Sequence, residues 1–304
     1  MRHVLALVLF LVLAPGAAAQ WSPPAAVSGE RGFIDHTALA TTGEGGLLAS
    51  WSAGMITGTG FVGTHEIAVR RPTDSAFRAA LRLPRADTLL PPVPYGRDRF
   101  VVGFETRGRL HVAFGDARSG RIGARHLVRE SRAMLRPHLA ANDRGDAALV
   151  WFENRGTFTD RVYVSVRPAG GSFGRPVLVA KDRVRQTAVA VSSKGSVLVA
   201  WETAGSMKVR IASGTRRFFG GMQRLASRPT SGAIPQAAFA PNGRAYVAWA
   251  SPVAVEVAVR GAGSGRFRAA QVLEGNGRHE APVSISVGAD TRAVIAWDTD
   301  GTIR

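Results

Sequence analysis

The chain has 304 residues, a formal net charge of +17 and no cysteine. At 45% hydrophobic residues it is apolar enough to bury a full core, which argues against disorder. The lack of cysteine excludes a disulfide scaffold, a cysteine-ligated zinc or iron–sulfur site, a thiol nucleophile and a lipidated N-terminal cysteine.

The first segment reads as a secretory signal peptide. Arg2 and His3 precede an apolar run over 4–14, followed by Pro15, Gly16 and alanines at 17–19. The run is well short of the ~20 residues that cross a bilayer, and no later segment is apolar enough to do so. The order predicts cleavage after Ala19, a secreted or periplasmic location, and a single domain over 20–304.

The remainder repeats. Residues 45–52 (GGLLASWS), 145–152 (GDAALVWF), 195–202 (GSVLVAWE), 243–250 (GRAYVAWA) and 291–298 (TRAVIAWD) share one unit: a turn residue, a β-rich run, and a tryptophan six positions on. A sixth copy, 99–105, carries Phe104 in the tryptophan place. The steps from Trp51 through Phe104, Trp151, Trp201 and Trp249 to Trp297 are 53, 47, 50, 48 and 48 residues. Several short strands in a period of that length predict a β-propeller blade.

Within each period an innermost strand comes first (36–40, 137–141, 187–191, 236–240, 283–287). A polar turn and the tryptophan strand follow. The third strand is read at 65–69, 161–166, 207–211 and 255–259. The fourth is expected to start on an aromatic: Phe77, Phe173, Phe219 or Phe267. The last repeat stops in its third strand, whereas 20–27 resembles an orphan fourth strand. Pairing the two would close the ring and remove two open sheet edges. The expected fold is therefore all-β: a six-bladed β-propeller of four-stranded antiparallel blades, its last blade closed by the N-terminal strand. The tryptophans belong to its core, since such rings dominate buried packing.

These repeats resemble those of secreted bacterial propellers related to the sialidase superfamily. The resemblance covers the whole mature chain, on motifs generic to propellers. It implies a substrate site at the channel mouth with an arginine cluster for a carboxylate, a tyrosine nucleophile helped by a glutamate, and an aspartic acid as acid/base. The Asp-box turn Ser-x-Asp-x-Gly-x-x-Trp is not matched: Asp143 stands two before Gly145, but Trp151 lies six beyond it. Of the three tyrosines, Tyr95 is expected at an inner hairpin turn, Tyr163 in a third strand and Tyr246 in a second strand. None falls at an axial nucleophile position, and no catalytic residue is assigned.

The loops entering innermost strands and those leaving second strands share the face around the mouth. The former carry Asp35 and His36, Asp87, Arg136 and His138, Arg185 and Gln186, Gln236, and His279 and Glu280. The latter carry Glu105, Glu153, Glu202 and Asp298. The longest such loop, 52–64, is glycine-rich and suits a lid or binding loop. Three readings stand. The carboxylates are an acid/base pair for glycoside cleavage, which needs ~5–9.5 Å between them; Arg136 and Arg185 hold a carboxylate, sulfate or phosphate bidentately; or the charges neutralise one another on a solvated rim. No close-spaced ligand motif supports a metal at His36, His138 and His279, and no cofactor is implied.

Arginines also crowd the outer strands: 70, 71, 78, 82 and 85; 118, 121, 125, 129 and 132; 210, 216, 217, 224 and 228. A rim this positive draws polyanions, while the excess of 36 arginines over 3 lysines also fits a compositional bias. The sequence thus points to an exported, monomeric binding protein for a carbohydrate or polyanion, an anionic glycan or wall polymer, with no nucleic-acid motif. A sialidase-like glycoside hydrolase or lyase and an envelope protein–protein scaffold are the alternatives.

Overall fold

The computed structural model describes residues 33–57, 60–78, 81–83, 86–131, 133–154, 156, 159–203, 205–214, 218–226, 232–275, 283–299 and 302–304. For 33–36, 55–57 and 60–62 it describes the backbone alone. The signal peptide and the orphan strand at 20–27 lie outside these residues. Regular structure among the described residues is entirely strand, and no helix there is long and apolar enough to cross a membrane.

Strands pair in sequence order into antiparallel sheets. The first sheet is Phe33–Thr41, Leu47–Thr57, Gly60–Arg70 and Leu81–Arg82. The third is Met134–Ala141, Ala147–Glu153, Asp160–Arg167 and Val177–Asp182. The fourth is Val184–Val191, Val197–Thr203, Ser206–Ala212 and Gln223–Ala226. The fifth is Ile234–Phe239, Ala245–Ser251, Ala254–Arg260 and Gln271–Gly275. At the end of the chain two short ladders stand, Ser284–Val287 with Ala293–Ala296 and Asp298–Thr299 with Thr302–Ile303.

The second sheet departs from the regular plan. Its inner position is split into Thr88–Leu89 and Val93–Tyr95, both paired with Arg99–Thr106. Pro91 and Pro92 stand in the gap, where a missing N–H cannot continue a ladder. Arg109–Asp116 follows, and carries both Arg121–Ile122 and His126–Glu130 on its outer edge.

The fourth strands correct one expectation. The aromatic does not open the strand but stands four residues before it, in all of the first, third, fourth and fifth sheets. The residue after each aromatic donates one backbone bond to the third strand: Arg78 to Val69, Gly174 to Val166, Gly220 to Ile211 and Arg268 to Val259, at 2.9–3.0 Å. In the third, fourth and fifth sheets the outer ladder then shifts register within its first few pairs, so the aromatic anchors the returning chain without being part of it.

Side chains alternate across each tryptophan strand, and the alternation builds the core between sheets. Trp151 packs with Leu110 and Val112 of the second sheet. Trp201 packs with Val150, Phe152 and Val164 of the third, and Trp249 with Leu198, Ala200 and Val209 of the fourth. Trp297 lies on Ala248 and Val255 of the fifth, and Phe104 on Leu48, Ile67 and Val69 of the first. Each large ring is thus wedged into the reverse face of the preceding sheet. Each tryptophan buries ~150–250 Å², worth roughly 4–6 kcal/mol as an upper bound.

Two further contacts hold consecutive sheets side by side. Inner strands touch in order: Val93–Tyr95 meets Phe33–Thr41 and Met134–Ala141, which meets Val184–Val191, then Ile234–Phe239, then Ser284–Val287. Turns between inner and second strands also bond to one another. The Asn142 amide donates to the Ser192 carbonyl at 2.7 Å, Ser193 Oγ to the Pro241 carbonyl at 3.3 Å, and the Tyr246 hydroxyl to the Thr291 carbonyl at 3.3 Å.

Candidate ligand-binding face

In the first, third and fourth sheets the inner strand is irregular near its first residues, the end expected at the mouth. In the first sheet the register shifts between Asp35 and Ala38, so 36 and 37 together oppose Trp51. The third sheet shifts between Leu135 and His138, so Arg136 and Pro137 oppose Trp151. In the fourth the shift falls between Val184 and Gln186, leaving Arg185 as the extra residue. The fifth sheet runs through without a shift. A bulge kinks one strand and re-aims one side chain, a device common at sheet rims and beside sites.

The residues in these bulges are His36 and Thr37, Arg136 and Pro137, and Arg185. Arg136 is exposed and adopts a left-handed backbone, φ +46°. For a non-glycine residue followed by proline this conformation is costly, and such strain gathers at functional positions. Arg185 is exposed on the next inner strand, and the two strands are in contact. His138, one residue beyond the third-sheet bulge, is held neutral: burial lowers its pKa from 6.5 to about 4, and the charge of Arg136 adds to the effect. For Asp35 and His36 only the backbone is described, in Phe33–Thr41. His279 and Glu280 lie outside the described residues.

The carboxylates are placed differently. Glu105 Oε1 accepts the Gly108 backbone N–H at 2.6 Å, and Asp87 Oδ2 accepts that of Arg107 at 2.6 Å. Together they close a two-residue hairpin turn in which Arg107 and Gly108 both have positive φ. Glu153 is fully out of solvent and accepts from Arg129 Nη2 at 2.9 Å and Nε at 3.1 Å. Glu202 is equally buried, opposite Gln186 and Met207. Asp298 is half-buried opposite Ile303. The described site residues therefore divide: exposed arginines at the bulges, carboxylates inside the framework. Among the described residues no group of three His, Asp or Glu side chains is arranged to hold a metal.

The tyrosines fall where the sequence puts two of them, Tyr163 in Asp160–Arg167 and Tyr246 in Ala245–Ser251. Tyr95 ends the inner strand Val93–Tyr95 and is buried. Tyr163 stacks on Trp151 at 5.9 Å, beneath the guanidinium of Arg129 at 5.8 Å.

Sequence reasoning missed the carboxylates that serve the tryptophans. The Trp201 indole N–H donates to Asp182 Oδ2 at 3.2 Å, where Lys208 Nζ also binds at 2.5 Å. Burial works against ionisation of Asp182, but the bonds from Lys208 and Trp201 outweigh it and hold the carboxyl below its ordinary value. Trp249 donates to Glu256 Oε2 at 2.9 Å, and Trp297 to Glu274. Asp182 and Glu274 both sit on the outer strand of the sheet preceding their tryptophan. An acidic residue at that strand, some twenty positions before the ring, was the available signal.

Several outer arginines also have structural duties. Arg78 pairs with Asp74 at 2.9 Å, Arg82 with Glu66 at 3.2 Å, and Arg210 donates to the Val179 carbonyl at 2.7 Å. Arg85, Arg132, Arg216, Arg217 and Arg228 lie outside the described residues.

The chain matches no protein-family model and no curated protein. Among solved structures it is similar to AofleA from Arthrobotrys oligospora, with TM-score 0.55 and 11% identity over 87% of this chain and 79% of that one. The Hadza microbial sialidase Hz136 gives TM-score 0.54 and 8% identity, covering 88% of this chain and 63% of the sialidase. A protein of unknown function from Dyadobacter fermentans gives 0.51 and 12% over 71% of each chain. Likeness at this identity concerns the fold, and the fold is a β-propeller.

Proposed function

We propose that the protein is an exported, monomeric six-bladed β-propeller that binds an anionic carbohydrate or wall polymer at the channel mouth. In this reading 1–19 is the leader, and 20–27 supplies the fourth strand of the last blade. Arg136 and Arg185 carry the ligand's carboxylate, sulfate or phosphate, with Asp35 and His36 on the first blade's inner strand, separated from that of Arg136 by the inner strand Val93–Tyr95.

The observation that carries the reading is the run of bulges in the inner strands. Three blades spend an extra residue at the same end, and in two of them that residue is an arginine. Arginine offers a planar, bidentate fork for oxyanions. The structural likeness to a sialidase is in keeping with a saccharide ligand. Binding is favoured over hydrolysis by the carboxylates: Glu153 and Glu202 are fully buried, and Glu105 caps a turn. A glycosidic oxygen needs a reachable acid.

The test is binding of the mature chain to an array of neutral and anionic glycans at low salt and at about 1 M salt, where the screening length is ~3 Å. The reading expects one class of acidic glycan to survive high salt. Signal on every polyanion that vanishes with salt would reduce the protein to a charged surface.

A further inference from the structure

A groove of about 560 Å³ lies between the fifth blade and the ladder that follows it, in the size range of small-ligand sites. It is on the turn side, remote from the inner-strand bulges, because its lining includes both turns that lead into the Trp249 and Trp297 strands. The groove departs from the repeat at four positions.

The residue six before tryptophan is Gly45, Gly145, Gly195 and Gly243 in four blades, with φ of +82°, +91°, +79° and +87°. In the last it is Thr291, at φ +69°. A β-branched side chain there is a backbone outlier. The next position is Gly46 in the first blade, and in the third and fourth blades it serves its own sheet: Asp146 accepts from Asn142 and the Ala169 N–H, and Ser196 Oγ accepts from Gly214. In the fifth and last blades it is Arg244 and Arg292, both exposed and both lining this groove. Finally, Tyr246 stands where other blades have Leu48, Ala148 and Leu198, and its hydroxyl reaches the Thr291 carbonyl.

The two arginines are not equivalent. Arg292 faces Asp290, Nε to Oδ2 3.6 Å. Arg244 has no acidic partner among the described residues, its backbone N–H being capped by Asn242. The wall between them is apolar, made by Val257, Val259 and Ile295. Asp290 disfavours a bare multivalent anion and offers an acceptor to hydroxyl groups.

We propose that this groove is a second ligand site, for an acidic monosaccharide unit whose carboxylate takes Arg244, whose hydroxyls take Asp290 and Arg292, and whose C–H face lies on the valine–isoleucine wall. It does not depend on the mouth reading, and the controls keep the two apart.

The probes are glucuronate, glucose and inorganic sulfate, titrated against the mature chain by calorimetry and by backbone NMR. Glucuronate is expected to shift the amides of Val259, Thr291 and Arg292 saturably, with glucose at least about tenfold weaker for want of the charged bidentate bond, and sulfate at least about tenfold weaker for want of the hydroxyls and the C–H face and because Asp290 repels it. Arg244→Gln, on an exposed turn, is expected to lower glucuronate affinity at least about tenfold while the amide spectrum keeps its dispersion. Arg121→Gln, on the outer edge of the second blade, is expected to leave it unchanged. Equal affinity for sulfate and glucuronate, shifts confined to the mouth, or an Arg244→Gln protein that binds as before would each overturn the site. Loss on Arg136→Gln alone would assign the sugar to the mouth instead.

Discussion

Arg129 and Glu153 meet between the second and third blades, Nη2 to Oε1 2.9 Å, with the glutamate carrying no exposed surface. The arginine comes from an outer strand and the glutamate from a tryptophan strand, so the pair ties two blades at a depth where an unpaired charge is expensive. Arg129→Met leaves a buried carboxylate and is expected to cost about 3 kcal/mol in urea unfolding. Removing both charges, Arg129→Met with Glu153→Leu, is expected to recover most of that. A double variant no more stable than the single one would deny the coupling.

The rings between blades give a simpler expectation. Trp201 is fully buried against the third blade and also bonds Asp182. Its replacement by alanine is expected to cost ~3–5 kcal/mol. An unchanged melting temperature would be incompatible with the inter-blade core.

Opposite substitutions in equivalent turns have opposite signs. Thr291→Gly relieves a left-handed β-branched residue at φ +69° and is expected to stabilise by about 1 kcal/mol, part of the relief being offset by unfolded-state entropy. Gly145→Ala imposes the strain at φ +91° and brings a Cβ to 3.2 Å from the Tyr95 ring, so it destabilises. Denaturant midpoints of the two variants measure both effects.

His138 adds a pH term. Its folded pKa of about 4 lies below the ordinary 6.5, so the unfolded chain binds the proton first. The contribution is complete above pH 6.5 and is lost as pH falls towards 4, amounting to at most about 3 kcal/mol. His138→Leu is expected to flatten stability against pH over that window. An identical pH slope in the two proteins would remove His138 from the account.

Much of the fold was legible because a half-buried strand alternates and a tryptophan recurs on one side of it. The split inner strand of the second blade was less so, since Pro91 and Pro92 break a ladder whose two halves are too short to read alone. The site was legible in part. Arg136 and Arg185 emerge at bulges that sequence alone does not announce. The position of Glu153 at the exit of a second strand points to the mouth, but it stands two residues after Trp151 and so shares the face that packs between blades.

The central claim is that the bulged arginines hold the ligand. Arg136→Gln with Arg185→Gln, compared with Arg118→Gln and Arg121→Gln on the outer edge of the second blade, tests it most directly. Affinity is measured for the acidic glycan bound most tightly at about 1 M salt, where only close contacts survive screening. The mouth pair is expected to lose at least about a hundredfold, as two charged bonds disappear, and the outer pair to lose almost nothing. Equal losses from the two pairs, or a loss confined to the outer pair, would contradict a site at the mouth.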